Sequence, residues 1–176
     1  RRHQTTQRTR RRAARAPQAH DTIFLRQDSV FPHGNYDVQV RDKQDPAPFH
    51  THDFDELAVV TGGFGVHVID REEFPLIRGD AFVIRGEHVH AFRNVQSLRL
   101  VNVLFTRERF HAIQEQCRDI PGFHALFVLE PQLRQTQHFK AKLHLSVAQL
   151  NHIMHLIGLL QQELRSRAPG SPLVAE

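Results

Sequence analysis

The sequence contains one cysteine, Cys117, and no tryptophan among its 176 residues. A single cysteine excludes an intramolecular disulfide, so we expect a protein of a reducing, cytoplasmic compartment. No run of 18 apolar residues occurs, which argues against a membrane-spanning helix, and no apolar stretch follows the basic N-terminal segment as a secretory signal would require. The length suits one domain with a substantial core, and we expect no membrane contact.

Acidic residues are missing from the first 20 positions, which instead hold seven arginines. Of the 23 lysines and arginines in the chain, 16 lie beyond this segment, against 19 acidic residues, so the remainder has a net charge of −3. That charge is not typical of a nucleic-acid-binding domain. Because residues 1–20 contain few apolar side chains to bury, we predict that they form a disordered, arginine-rich tail.

From Thr22 onward, short runs of β-favouring residues alternate with turn residues. The predicted strands are Thr22–Leu25, Tyr36–Val40, Glu56–Val60, Phe64–Ile69, Phe74–Ile77, Ala81–Ile84 and Leu98–Leu104. Glycine and proline pairs separate several of these runs. Many short strands at close spacing predict a mainly β protein with an antiparallel barrel or sandwich, which we place at residues 21–106.

After Thr106 the apolar residues recur with helical spacing. Arg107–Arg118 is predicted as a short helix that ends before Pro121-Gly122, and Leu145–Arg165 as a long one. Ser146 and Gln149 have the spacing of a capping box at the start of the long helix.

One apolar stripe follows the long helix; its members are Leu150, Met154, Ile157, Leu160 and Leu164. Such a stripe can cover the barrel of its own chain or join two chains in a homodimer. We assign residues 107–165 to a helical dimerisation and linker region, with this stripe near the dimer contact, and residues 166–176 to a linker.

Histidines and a carboxylate occur in two segments between the predicted strands. His50 and His52 share one face of a strand, and Glu56 has the same parity. His90 lies in the second segment, where it can approach from a neighbouring strand. Two imidazoles and a carboxylate met by a third imidazole can hold a divalent metal such as Zn, Ni, Mn or Fe, or can hydrogen-bond a polar ligand without metal. We predict that these four side chains converge in one pocket inside the barrel.

Asn102 is the second candidate binding residue, because it shares a strand face with Leu98, Leu100 and Leu104. A lone amide on an apolar inner face needs a hydrogen-bond partner, either protein or ligand. We therefore place Asn102 at the pocket wall. His67 is expected to face outward, and Cys117 is expected to be chemically inert.

The two histidine segments resemble the two cupin motifs, H-x-H-x3-E-x6-G and G-x5-P-x-G-x2-H-x3-N. The matching residues are His50, His52, Glu56, Gly63, Gly79, His90 and Asn94. Arg85 stands at the proline position of the second motif and Glu87 at its last glycine. The resemblance implies a cupin-type β-barrel, a double-stranded β-helix or jelly roll, followed by C-terminal helices.

A longer stretch, FHTHDFDELAVVTGGFGVHVIDREEFPLIRGDAFVIRGEHVHAF, resembles the N-terminal effector domain of AraC-type transcription regulators, with the rhamnose-operon activators as the nearest branch. The resemblance implies that the barrel binds a small effector, typically a sugar, that no metal is required, and that helices after the barrel form a homodimer. DNA would be bound only through a separate helix-turn-helix domain, which nothing after Glu163 resembles. The alternative is a small metal-dependent cupin enzyme, an isomerase or dioxygenase.

Overall fold

The computed structural model describes residues 22–31, 34, 36–129 and 142–166. Its strands are β1 (Ile23–Leu25), β2 (Tyr36–Arg41), β3 (Ala47–His52), β4 (Asp55–Ile69), β5 (Glu72–Ile77), β6 (Asp80–Ile84), β7 (His90–Phe105) and β8 (Leu143–His144). Its helices are α1 (Gln27–Val30), α2 (Arg107–Cys117), α3 (Pro121–His124), a π-helical turn at Ala125–Leu129, and α4 (Val147–Ser166). The predicted tail at residues 1–20 and the predicted linker beyond Ser166 lie outside the described residues.

The strands form two sheets that share the long strands β4 and β7. One sheet has the order β2-β7-β4-β6-β8 and the other β1-β3-β7-β4-β5, because different halves of β4 and β7 pair in each. All pairs are antiparallel except β1 with β3, which is parallel. The expected fold class, a cupin-type barrel followed by helices, is confirmed, with a mixed rather than wholly antiparallel sheet.

Strand β4 unites two runs predicted as separate strands, Glu56–Val60 and Phe64–Ile69. Its pairing with β7 shifts register at three places between Val60 and Val66, so the strand bends without ending. Gly63 has φ +67°, and a Cβ atom there would lie 2.1 Å from the carbonyl oxygen of Ser97. Only glycine fits this bend, since other residues rarely adopt such a φ and the neighbouring backbone leaves no room.

The inner faces of the two sheets enclose the main apolar core. Its fully buried members are Ala58, Val60, Ile69, Phe74, Leu76, Phe82, Ile84, Phe92, Leu98 and Leu100. Leu104 and Asn102 are also buried and continue the alternation of Leu98 and Leu100 along β7. The predicted inner-face position of Asn102 is therefore confirmed.

Helix α4 packs on the outer face of the first sheet. Its start matches the predicted capping box: the Ser146 amide donates to Gln149 Oε1 at 2.9 Å, and the Gln149 amide donates to Ser146 Oγ at 3.3 Å. The five stripe residues join one cluster with Val38, Val59, Ala81 and Val101 of the barrel. The stripe therefore covers the barrel of its own chain, and its part in a dimer stays a prediction.

Helix α2 begins at Arg107, the residue predicted as its start, and Thr106 alone separates it from β7. Thr106 caps it by accepting a hydrogen bond from the Arg109 amide at 3.2 Å. The helix ends at Cys117, before Pro121-Gly122 as predicted. Pro121 begins the short helix α3, because proline suits the first turn of a helix. Within the described ranges, no helix has the length and apolar character needed to cross a membrane.

A buried aspartate joins the start of α4 to the barrel. Asp80 is 0% exposed, and its carboxylate accepts a hydrogen bond from the Ile77 amide at 2.8 Å. It also pairs with Lys142 and with Nδ1 of His144, the latter at 2.9 Å. The Leu145 amide donates to the Gly79 carbonyl at 2.8 Å, which adds a backbone link at the same turn.

We expect Asp80→Ala to lower the free energy of unfolding by about 3 kcal/mol, because it leaves the Ile77 amide unpaired and removes the carboxylate that contacts Lys142 and His144. Urea unfolding followed by circular dichroism measures this loss. Lys142→Met is the matched control: its side chain is 24% exposed, so its loss should be clearly smaller. Equal losses for the two variants would contradict the role given to Asp80.

The loop before β7 contains a residue in a conformation that favours glycine. Glu87 has φ +80°, and it stands where the cupin motif has glycine. Its amide donates to the His52 carbonyl at 3.0 Å, and its exposed carboxylate contacts Arg107 at 2.7 Å. The backbone link to His52 holds the loop in place although the φ value is unfavourable for glutamate.

Replacing Glu87 by glycine should therefore raise the free energy of unfolding by about 1 kcal/mol, through relief of the left-handed conformation. Glu87→Ala separates the causes, because it removes the same carboxylate and keeps the Cβ atom. Its stability should stay close to that of the unmutated protein, since an exposed ion pair contributes little. Chemical denaturation of the three proteins side by side gives the answer, and stabilisation by alanine as large as by glycine would refute the explanation.

Candidate functional site

A cavity of about 600 Å³ lies between the two sheets and opens at one end of the barrel. Its polar lining residues include Gln39, Arg41, Lys43, Asp45, His50, Glu56 and Asn102, and its apolar ones include Ile23, Leu25, Val30, Phe54, Phe92 and Leu104. Mixed apolar and polar walls of this size are typical of pockets for small molecules.

Three of the predicted ligand residues come together in a buried group, and one of them, Glu56, also lines the cavity. One side-chain ligand atom from each of His52, Glu56 and His90 lies within 4.8 Å of the others, and all three residues are buried. Nε2 of His52 lies 3.5 Å from Glu56 Oε2. The ring of His50 lies beside that of His90, with centroids 4.0 Å apart, but 6.5 Å from that of His52. His50 therefore contributes to the cavity wall and stands outside the three-residue group.

The strands bring these residues together differently from the sequence prediction. His50 and His52 are on β3. His90 is the first residue of β7 and pairs directly with His50, so all three histidines belong to one sheet. Glu56 is on β4 and pairs with Leu104 and Ile84 in the opposite sheet. The prediction that His50, His52 and Glu56 share one strand face is wrong, because the chain turns between β3 and β4. The carboxylate instead faces the histidines across the barrel.

Backbone carbonyls orient all three imidazoles. Nδ1 of His50 lies 2.9 Å from the Pro48 oxygen, Nδ1 of His52 2.6 Å from the Phe54 oxygen, and Nδ1 of His90 3.2 Å from the His88 oxygen. Since a carbonyl can only accept, each neutral ring carries its proton on Nδ1 and offers the lone pair of Nε2. Nε2 of His52 and Nε2 of His90 are buried and have no hydrogen-bond partner among the described residues.

Burial also sets the protonation of the cluster. It lowers the pKa of His52 to about 4, although the hydrogen bond that Nδ1 donates to the Phe54 carbonyl acts in the opposite direction, and it lowers the pKa of His50. Burial, with the neighbouring imidazoles, holds the pKa of His90 well below its ordinary value. Burial raises the pKa of Glu56 to about 7, opposed by the charge of Arg41. The cluster therefore presents neutral imidazoles at neutral pH, which suits both metal coordination and hydrogen bonding to a polar ligand.

The residue beside Glu56 ties the cavity to the loop before β7. Asp55 is buried; its carboxylate contacts the Arg85 guanidinium and accepts from the Gly86 amide at 2.9 Å. The same guanidinium lies 3.9 Å from the ring centroid of Phe110 on α2. Arg85, which replaces the proline of the cupin motif, thus contacts both a strand of the barrel and the first helix after it.

His67 is the clearest correction to the sequence prediction. It was expected on the outer face, but it is 2% exposed and its ring packs against Phe82, Phe92 and His90 at centroid distances of 4.9, 5.0 and 5.5 Å. The register shifts near Gly62 and Phe64 reverse the side-chain parity of β4 after the bend, so His67 faces inward. In the sequence, the Gly62-Gly63 pair was the feature that could have predicted this change of parity.

Other single residues lie as the sequence suggested. The amide of Asn102 is opposite Ala58 and Gln39, and its Oδ1 is buried with no hydrogen-bond partner among the residues described. Cys117 is the last residue of α2 and is half-buried. His152 and His155 are exposed on α4.

Sequence reasoning missed the basic residues of the cavity mouth. Gln39 and Arg41 follow each other at a spacing of two along β2, opposite Asn102 and Leu100 of β7. They therefore share the inward side of the strand. The alternation of Gln39 and Arg41 with Val38 and Val40 could have predicted this, because it places an arginine on the same strand face as a second polar residue.

Comparison with known proteins agrees with this architecture. The family described as AraC-like ligand binding domain matches residues 37–169. The activator RhaR of Enterobacter sp. (strain 638) is 35% identical over 103 residues, which are 57% of this chain and 36% of that protein. RhaR of Escherichia coli (strain K12) is 36% identical over 109 residues, or 61% of this chain and 38% of that protein. The chain thus spans somewhat more than a third of the length of these relatives.

A cupin protein from Bacteroides fragilis is similar in structure, with a TM-score of 0.36 and 16% identity over 46% of this chain and 74% of that one. The family match begins within β2 and extends through strands β3 to β8 and helix α4. The chain belongs to the AraC-like ligand-binding domain family.

Proposed function

We propose that this domain senses a small polyhydroxy ligand, a sugar or a close derivative, within a dimeric transcription regulator. The observation that supports this most is the cavity itself: apolar and polar side chains line it, and Asn102 Oδ1 is buried there without a hydrogen-bond partner among the described residues. Buried polar groups without partners are rare, so a ligand that supplies the missing hydrogen bonds gains affinity from each of them. The relatives named RhaR are described as HTH-type transcriptional activators, which agrees with a sensing role.

Arg85 and Glu87 offer a route from the cavity to the helices. Asp55, beside the cavity residue Glu56, holds Arg85, and Arg85 lies over the ring of Phe110 on α2. Glu87 contacts Arg107 at the start of the same helix. We infer that a ligand that moves Glu56 or His52 changes the position of α2 through this loop, which is the coupling that a sensor needs.

The same cluster supports a second candidate, a metal-dependent cupin enzyme. His52, His90 and Glu56 form a two-histidine, one-carboxylate set, and backbone carbonyls already fix the tautomers that metal binding requires. These residues fit a divalent ion such as Zn, Ni, Mn or Fe, with His50 beside them. A bound ion would supply Lewis-acid chemistry, whereas sensing requires only hydrogen bonds.

A thermal-shift and calorimetry panel of neutral sugars and sugar acids tests the sensor proposal. We expect at least one compound to raise Tm in the presence of EDTA, and Asn102→Ala or Glu56→Gln to weaken its binding by about ten- to a hundredfold. The variant Glu73→Gln, which changes an exposed carboxylate on β5, is the matched control and should bind normally. If no compound shifts Tm, the sensor proposal fails.

Metal analysis of the purified protein separates the two candidates. One ion per chain, lost in Glu56→Gln and required for any ligand binding, would favour the enzyme. A folded Glu56→Gln protein is expected, because its neutral amide avoids burying a charge.

The pH dependence of stability gives a separate test of Glu56. The unfolded chain ionises Glu56 near pH 4.5 and the folded chain only near pH 7. Folding therefore leads Glu56 to take up a proton in this range, so the Glu56 contribution to stability is lost as pH rises from about 4.5 to about 7. The lowered pKa values of His50, His52 and His90 act in the opposite direction in both proteins. The measured quantity is therefore the difference in the free energy of unfolding between the unmutated apoprotein and Glu56→Gln, which should shift against the unmutated protein as pH rises.

For assembly, we propose a homodimer joined through the solvent-facing side of α4. Leu156 and Leu159 are 49% and 48% exposed and lie three residues apart on one helix face, away from the buried Ile157. Exposed leucines at helical spacing are typical of a helix that packs on a second one.

Light scattering should show a dimer at micromolar concentration, and the double substitution Leu156→Asp with Leu159→Asp should give a folded monomer, because charges would replace the apolar contact. Asn151→Asp, at another exposed position of the helix, is the matched control and should remain dimeric. Ile157→Asp should instead unfold the chain, since that side chain is buried against the barrel. A monomeric unmutated protein would contradict this assembly.

A further inference from the structure

The cavity mouth contains a cation, Arg41, that makes no ion pair with any residue that the structure describes. Arg41 lines the cavity, and its guanidinium donates through Nη2 to the Gln39 amide oxygen at 2.6 Å, a neutral acceptor. Lys43, the other cation of the lining, lies 3.5 Å from the Asp45 carboxylate and is thereby paired. In the part of the chain that the structure describes, no carboxylate lies within ion-pair distance of Arg41. A planar guanidinium in this position can bind a carboxylate through two parallel hydrogen bonds.

The sheet places this cation at a fixed separation from the buried acceptor. Asn102 is directly opposite Gln39 on the neighbouring strand, and Arg41 lies two residues further toward the mouth on the same side of β2. Two residues along a strand span about 7 Å. Oδ1 of Asn102 requires a donor, which a carboxylate cannot provide and a hydroxyl can. The cavity therefore favours a ligand with a hydroxyl group at Asn102 and a negative charge at Arg41.

The remaining groups suit the same ligand. Glu56 at the inner end and His50 in the wall can each hydrogen-bond a hydroxyl, while Phe54 and Leu104 leave room for carbon-bound hydrogens. A purely neutral sugar would satisfy Asn102 and leave the Arg41 guanidinium without a matching group. An apolar acid would pair with the Arg41 guanidinium and leave Asn102 Oδ1 without a hydrogen-bond donor.

We propose that the ligand is a polyhydroxy carboxylate, such as a uronic or aldonic acid, with a hydroxyl on Asn102 Oδ1 and its carboxylate on Arg41. This rests on the proposed sensing function and narrows it to one chemical class. Arg41 is then the residue that distinguishes an acid from the neutral sugar of the same configuration. The discrimination follows from charge pairing and bidentate hydrogen bonding between the guanidinium and the carboxylate.

Calorimetry on the full chain with matched pairs tests this class: D-glucuronate, D-gluconate and D-glucose, then D-galacturonate, D-galactonate and D-galactose, with L-rhamnose as a further neutral probe. We expect at least one acid to bind at least about tenfold more tightly than its neutral partner, with affinity that falls as salt is added. Arg41→Gln should remove this preference. Arg78→Gln, which deletes an exposed positive charge in the turn before Gly79, should preserve it.

The outcomes separate this inference from the sensing function. Neutral sugars that bind as tightly as the acids, with no effect of Arg41→Gln, overturn the acid class and leave the sensor intact. Acid binding that Arg78→Gln weakens as much as Arg41→Gln also overturns it, because the effect would then be one of net charge. Failure of every acid and every neutral probe to bind at millimolar concentration counts against both proposals.

Discussion

The bend in β4 is the constraint on which the cavity depends. At Gly63 the backbone passes so close to Ser97 of β7 that a side chain would overlap its carbonyl oxygen, and the φ of +67° is one that glycine adopts freely. Because both long strands continue through this bend, each belongs to two sheets. The barrel closes as a result, and Glu56 on one sheet comes to face His52 and His90 on the other. Without the bend, the carboxylate and the imidazoles would lie on surfaces that never meet.

The protonation of the site follows from where the strands end. His52 and His90 lie at a strand end and a strand start, where nearby carbonyls are not fully used by the ladder and accept from Nδ1. Those hydrogen bonds leave Nε2 as the lone-pair atom, and burial keeps the rings neutral. The same arrangement suits a metal ion or a hydroxyl donor. The imidazoles alone do not distinguish a metal ion from a hydroxyl-bearing ligand. The Asn102 oxygen without a hydrogen-bond partner and the Arg41 guanidinium favour an organic ligand with several polar groups.

The two departures from the cupin motif share a location and have a common consequence. Where the motif has a proline, Arg85 contacts buried Asp55 and the ring of Phe110; where it has a glycine, Glu87 contacts Arg107. Both substitutions replace a residue that shapes the backbone with a side chain that reaches α2. The loop keeps its path through the backbone bond from Glu87 to His52 and the bond from Gly86 to Asp55. The loop is thus held by the barrel, and the side chains of Arg85 and Glu87 add contacts to helix α2.

The sequence by itself determined the fold class, the start of α4 and the inward position of Asn102, because each rests on local spacing: turn residues between short strands, a capping box, and alternation along one strand. Which residues meet across the barrel was decided only by tertiary structure. Parity predicted that Glu56 shares a strand with the histidines and that His67 faces out, and both were wrong, since a turn and a bulge reset the alternation that parity assumes. As a sequence pattern, the apolar stripe of α4 is equally consistent with contact to the barrel and contact to a second chain. Only the packing of the folded chain showed that it contacts the barrel. Arg41 is a candidate binding residue only because β2 places it beside a cavity formed largely by other strands, and the charges around a side chain depend on neighbours that are distant in sequence.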